Sequence, residues 1–120
     1  MNYDLFRVRT QRLVEFTILC NRIVDRSKKT VPTNLISGLR DFGLSLTAMK
    51  EDIRLKEIAE KHLVMLDEVV AYAKAKNAGS IILADLHYAK SRKIHDECDV
   101  LMDALADKLE ERGTTISHST

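Results

Sequence analysis

The sequence predicts an all-α protein, an antiparallel up-down-up-down four-helix bundle. Apolar residues recur at three- and four-residue intervals in four successive segments, the period of a helix with a buried face. The connections between these segments are short, which makes consecutive helices antiparallel. The 120-residue chain has one Pro, four Gly and no Trp, and its wealth of Ala, Leu, Lys and Glu suits helix rather than sheet. A chain of this length makes one domain with one core. That domain is residues 1–113, with an aliphatic core and a disordered polar tail at 114–120.

Helix 1 is predicted over residues 4–27. Its stripe is Leu5, Phe6, Leu13, Phe16, Leu19, Cys20, Ile23 and Val24. Arg9 projects from this stripe, so it requires a carboxylate, a partner surface or a route to water at the helix end. The helix stops before Pro32, because the residue preceding a proline is biased away from helix while Pro suits the first turn of the next one.

Helix 2 is predicted over 33–50. Leu35, Leu39, Phe42, Leu46, Met49 and Ile53 make a heptad seam, the pattern of helices packed at a shallow angle. Gly38 and Gly43 stand inside this helix, where each costs about 1 kcal/mol relative to Ala. With Ser37 and Ser45 they narrow it, so a neighbouring backbone can come close, within the bundle or from another subunit; alternatively one glycine marks a kink. The heptad seam reaches 53 without Gly or Pro, so one long helix from 33 to 76 is conceivable. It would measure about 65 Å, awkward in so short a chain, and a break near 51–54 is expected instead, with Asp52 capping the next helix.

Helix 3 is predicted over 54–76, with a stripe of Leu55, Ile58, Ala59, His62, Leu63, Leu66, Val69, Val70 and Ala73. Asn77-Ala78-Gly79-Ser80 reads as a stop followed by a serine N-cap. Helix 4 is predicted over 81–112 and is the longest. Its stripe is Leu83, Ala84, His87, Ser91, Ile94, Cys98, Leu101, Met102, Leu105 and Leu109, and Gly113 ends it. Its last turns, carrying Asp103, Asp107, Glu110 and Glu111, are expected to project beyond the bundle.

Composition excludes several functions. The longest strongly apolar run, Ser80 to Ala84, is far short of the about 20 residues of a membrane span, and the N-terminus lacks a signal-peptide core. A cytoplasmic protein is expected, with no membrane. Cys20 and Cys98 are too few for a secreted disulfide framework and are read as buried fillers. No phosphate loop, Ser/His/Asp set or paired-carboxylate site is present, so no enzyme and no cofactor are expected. Antiparallel pairing brings His62 level with His95, but no Glu-x-x-His pair accompanies them and Asp96 and Asp99 fall on the solvent side. No metal is expected, and the histidines are read as hydrogen-bonded core or rim residues.

Net charge is only +1, but residues 1–40 carry eight Lys/Arg against three Asp/Glu, and residues 41–120 carry eleven against fifteen. Either the two halves attract each other or one presents a charged surface. The candidate phosphate contacts are Arg7, Arg9, Arg12, Arg22, Arg26, Lys28 and Lys29, on or beside helix 1. No aromatics interleave with them, so base stacking is not implied.

A second set of apolar residues lies off the core stripes: Val14, Ile18, Leu44, Val64, Ile82, Leu86, Val100 and Ala104. Pairs one turn apart suggest a second face that docks on a partner. Val14, Ile18, Gly38, Gly43, Leu44, Ile82 and Leu86 are therefore the candidate interface residues of a homo-oligomer.

The stretch Val31-Pro32-Thr33-Asn34-Leu35-Ile36-Ser37-Gly38 resembles the "IPxNIAEG" stretch of small four-helix-bundle proteins encoded in 23S rRNA intervening sequences, relatives of the accessory variability proteins of diversity-generating retroelements. Residues 58–81 look like the third helix of that family, with Ala59, Leu63, Leu66, Val70 and Ala73 at its small and apolar positions. Ser37 stands where the family has glutamate, Lys61-His62 where its third helix has Gly-Ser, and this chain lacks the strongly basic charge of the accessory proteins. The resemblance implies a ring-like homo-oligomer binding a reverse transcriptase and nucleic acid. Taken with the residues, the first expectation is a non-enzymatic interaction module, a homo-oligomeric adaptor or accessory subunit of a larger assembly with a protein partner. The alternative is a nucleic-acid-binding accessory protein contacting phosphates through helix 1.

Overall fold

The structure, a computed structural model, describes residues 2–25 and 27–111, with side chains for 6–25 and 27–108. Four helices account for most of these: α1 (Asn2–Ile23), α2 (Thr33–Met49), α3 (Lys56–Asn77) and α4 (Ile81–Glu111). They run up, down, up and down, as the short connections require. The predicted tail, Gly113, and the side chains of Leu5, Leu109, Glu110 and Glu111 lie outside the described residues.

Each boundary has a local cause. α1 ends earlier than predicted because Asp25 turns the chain: its Oδ1 accepts hydrogen bonds from the Ser27 amide at 3.0 Å and the Ser27 hydroxyl at 2.6 Å. Pro32 occupies the N-cap of α2, and its carbonyl accepts from the Leu35 and Ile36 amides. Residues 50–55 form the expected break. Asp52 does not cap α3, however. It accepts from the Arg54 amide and is gripped by the Arg54 guanidinium at 2.7 Å, while Leu55 holds the N-cap position. α3 closes in a Schellman arrangement: the Ser80 amide bonds the Ala75 carbonyl, the Gly79 amide bonds that of Lys76, and Gly79 takes φ 78°. Here glycine is required, since other residues resist that conformation.

Asn77 at the end of α3 reaches across to the α1–α2 connection. Its Oδ1 accepts from the Val31 amide at 2.7 Å and its Nδ2 donates to the Val31 carbonyl at 3.0 Å. Both hydrogen-bonding groups of a buried backbone position are thereby satisfied.

α3 is the central helix and packs on all three others, while α1 also packs on α2. Leu13, Phe16, Leu39, Leu46, Leu55, Ala59 and Ala73 are fully buried among them. Phe16 of α1 meets Phe42 of α2 at 5.6 Å and His62 of α3 at 6.0 Å between ring centres. Because α3 is covered on several sides, Met65 and Tyr72 are buried too, although neither lies on its predicted stripe. Ile53, the predicted end of the α2 seam, is 88% exposed, since the chain has already turned there.

α4 packs chiefly on α3. Its flank toward α1 is open, leaving a groove of about 200 Å³ lined by Thr10, Val14, Met102 and Leu105. The Arg92 guanidinium bridges this flank to Asn21 at 3.1 Å. Leu83, expected in the core, is half exposed in the first turn of α4.

Candidate functional site

The apolar candidates Val14, Ile18, Leu44, Ile82 and Leu86 are between 40% and 84% exposed. They do not form one continuous patch. Val14 lines the groove shared with α4, and Ile18 lies one turn further along α1. Ile82 and Leu86 lie on the outer side of α4 with Val100, all at multiples of the helix repeat. Leu44 lies opposite the buried Leu39 and Leu46 side of α2, a helix that does not pack closely on α4.

Gly38 and Gly43 are half-buried on α2, each with a side chain of a neighbouring helix beside it. A Cβ at Gly38 would lie 3.4 Å from Leu19 Cδ2 of α1, and one at Gly43 would lie 3.5 Å from Leu66 Cδ1 of α3. The only positive-φ glycine among the described residues is Gly79, so neither breaks the α2 backbone.

Sequence reasoning missed two further exposed apolar positions, Val8 and Ile81. The signal for Ile81 was present: consecutive residues of a helix are about 100° apart, so Ile81-Ile82-Leu83 cannot share one buried face.

The basic residues of helix 1 are divided rather than aligned. Arg9 finds the carboxylate its position demanded, lying 3.7 Å from Asp52. The Asp52 carboxyl is held below its usual pKa, first by the Arg54 hydrogen bond and also by Arg9. Arg12 lies over the Phe42 ring at 4.0 Å, pairs with Glu15 at 3.1 Å and donates to the Ser45 hydroxyl. Arg7 and Arg22 are exposed. Lys28 and Lys29 line a cavity of about 330 Å³ with Lys76 and the start of α4. Arg26 lies outside the described residues.

The polar residues of the core stripes have defined partners. His62 Nδ1 donates to the Ile58 carbonyl at 2.8 Å, which leaves its buried Nε2 without a hydrogen-bond partner. Burial pushes its pKa down. His87 Nδ1 donates to Glu68 at 2.7 Å, and the Ser91 hydroxyl donates to the Tyr88 carbonyl. Cys20 and Cys98 are free and buried. Burial raises both pKa values, that of Cys98 to about 12, which removes thiolate chemistry at neutral pH.

Among the described residues one group could approach a metal ion: His95, Asp96 and Asp99 of α4, whose donor atoms lie within 4.8 Å of one another. His95 Nδ1 is 3.5 Å from Asp99 and 3.8 Å from Asp96. Both acids are exposed, and the two buried ring nitrogens of His95 have no hydrogen-bond partner.

Comparison of the chain with protein-family models, with curated proteins and with solved structures returns no match.

Proposed function

We propose that this protein is a non-enzymatic interaction module, a homo-oligomeric adaptor or accessory subunit working in the cytoplasm with its cysteines reduced. One observation carries the reading: large aliphatic side chains on the outer sides of α1 and α4 remain largely exposed in a chain whose core is already closed. Leaving Ile18, Ile82 and Val100 in water forgoes the burial energy that a contacting surface would supply. Residues 31–81 support the same reading through their likeness to ring-forming four-helix bundles. No helix among the described residues is long and apolar enough to cross a membrane. The phosphate-binding alternative has less support, because Arg9 and Arg12 are engaged with Asp52, Glu15 and Phe42.

Native mass spectrometry of protein purified without nuclease tests the proposal. A homo-oligomer free of nucleic acid is expected, and Val14→Glu with Ile18→Glu should weaken it while leaving the helices folded. A bare monomer overturns the homo-oligomer. Co-purifying RNA or DNA overturns it in favour of the nucleic-acid reading.

A further inference from the structure

Among the described residues three buried imidazole nitrogens lack a hydrogen-bond partner: His62 Nε2 and both ring nitrogens of His95. Buried polar atoms are ordinarily paired, so three orphans of one kind need a cause. They belong to one level of the bundle. Lys61 of α3 pairs with Glu97 of α4 at 2.7 Å, which sets the next residue, His62, against the turn of α4 that carries His95. His95 and Asp99 both act electrostatically on the His62 ring. The proton positions are constrained as well. His62 is fully buried and its Nδ1 donates to the Ile58 carbonyl at 2.8 Å, so Nε2 holds a lone pair and needs a donor. An uncharged imidazole at His95 can donate from Nε2 only in the tautomer whose Nδ1 holds a lone pair. That Nδ1 lies 3.5 Å from Asp99 and 3.8 Å from Asp96. A lone pair set among carboxylate oxygens is repelled unless a cation lies between them.

We propose that His95, Asp96 and Asp99 bind a zinc-type dication, through His95 Nδ1 and one oxygen of each carboxylate, with water completing the shell. The donor atoms lie within 4.8 Å of one another. Ligand atoms bonded to zinc at about 2.0–2.2 Å stand about 3.3–3.5 Å apart at tetrahedral angles, close to the two separations from His95 Nδ1. Both acids are exposed, so their carboxylates can turn onto the ion without disturbing the core. With the ion on Nδ1, the proton of His95 is fixed on Nε2, free to be donated to the lone pair of His62. A ligating histidine is commonly held in this way, by a hydrogen bond from its other ring nitrogen. One ion thus accounts for all three orphaned nitrogens and ties α4 to α3. One imidazole and two carboxylates suit an ion of intermediate softness, whereas calcium and magnesium ask for a shell of oxygens. The search for a Glu-x-x-His pair overlooks this group because its ligands come from a single helix, at positions i, i+1 and i+4. The site is independent of the homo-oligomer reading.

Zinc chloride titrated into untagged, chelator-stripped protein at neutral pH tests the site by calorimetry. One equivalent should bind, raise Tm and not be displaced by excess magnesium. Asp99→Asn and His95→Gln should each weaken binding by about tenfold or more. Asp99 is exposed, so its variant remains informative if His95→Gln fails to fold. His87→Gln, which alters the other histidine of α4 with a carboxylate partner, should bind zinc as the wild type does. Nitrogen-15 spectra of the histidine rings supply a second readout: zinc should move the His95 Nδ1 resonance, fix the His95 proton on Nε2 and perturb His62. Absence of zinc binding by the wild-type chain would overturn the proposal. Binding that survives Asp99→Asn, that is lost in His87→Gln, or that leaves the His95 resonances unmoved would overturn it as well, since the ion would then be held elsewhere.

Discussion

Replacing Gly43 with alanine should stabilise this protein. Glycine in a helix interior costs about 1 kcal/mol relative to alanine, because more backbone freedom is lost on folding. The penalty is worth keeping only if a side chain has no room. At Gly43 there is room: the new Cβ would meet Leu66 Cδ1 at 3.5 Å, an ordinary van der Waals contact, and the backbone there is not in the positive-φ region. The site is half-buried. A methyl group there adds a few tenths of a kcal/mol of apolar burial, out of about 0.8 for full burial. The net gain is about 1 kcal/mol, which for a chain of this length raises Tm by about 4 °C. Thermal unfolding followed by far-UV circular dichroism, with both proteins at the same concentration, measures it. Gly38→Ala should change Tm in the same direction by less, since its Cβ would lie slightly closer to Leu19, at 3.4 Å. A lower Tm for Gly43→Ala would refute the reasoning. It would mean that α2 and α3 approach more closely than 3.5 Å allows, or that a second copy occupies the space.

Asn77→Ala should cost about 1–3 kcal/mol in chemical denaturation, because it strips both partners from the Val31 backbone. Stability should be greatest above the ordinary histidine pKa of about 6.5 and should fall as pH drops below it, since burial depresses the His62 pKa and the unfolded chain then binds the extra proton. That slope should be shallower in His62→Leu, measured as unfolding free energy between about pH 5 and pH 7.5. Cys20 and Cys98 should resist a thiol reagent in the native protein at mildly alkaline pH and react fully once it is unfolded, as their burial and raised pKa values require.

Much of the fold was legible because its punctuation is chemical. Pro32 fixes where α2 begins, and Asn77-Ala78-Gly79 fixes where α3 ends, through requirements that hold in any surroundings. Errors arose where a pattern was extended past its cause. The heptad seam of α2 was carried to Ile53, but the turn at 50–55 takes that residue out to solvent. A single stripe describes a helix covered on one side, whereas α3 has three neighbours and buries Met65 and Tyr72 as well. The same holds for the candidate site. Val14, Ile18, Leu44, Ile82 and Leu86 could be found by their distance from a core stripe, which the helical period alone determines. The glycines could not be assigned in this way, because spacing reveals that a helix is narrow but not which neighbour approaches it. Nor could the division of the basic residues be foreseen, since Asp52 reaches Arg9 only once the bundle has closed.

The hold of Asn77 on Val31 also decides where this chain can be lengthened. The two hydrogen bonds anchor the last part of the α1–α2 connection, so the position of Pro32 and the start of α2 do not depend on the residues before them. Residues 27–30 are exposed and lie on the free side of that anchor. A peptide tag or a small reporter domain inserted after Lys29, beyond the Asp25 turn, should leave the helices undisturbed. The turn at 78–80 offers no such tolerance, because its hydrogen bonds run directly from Ser80 and Gly79 back into α3.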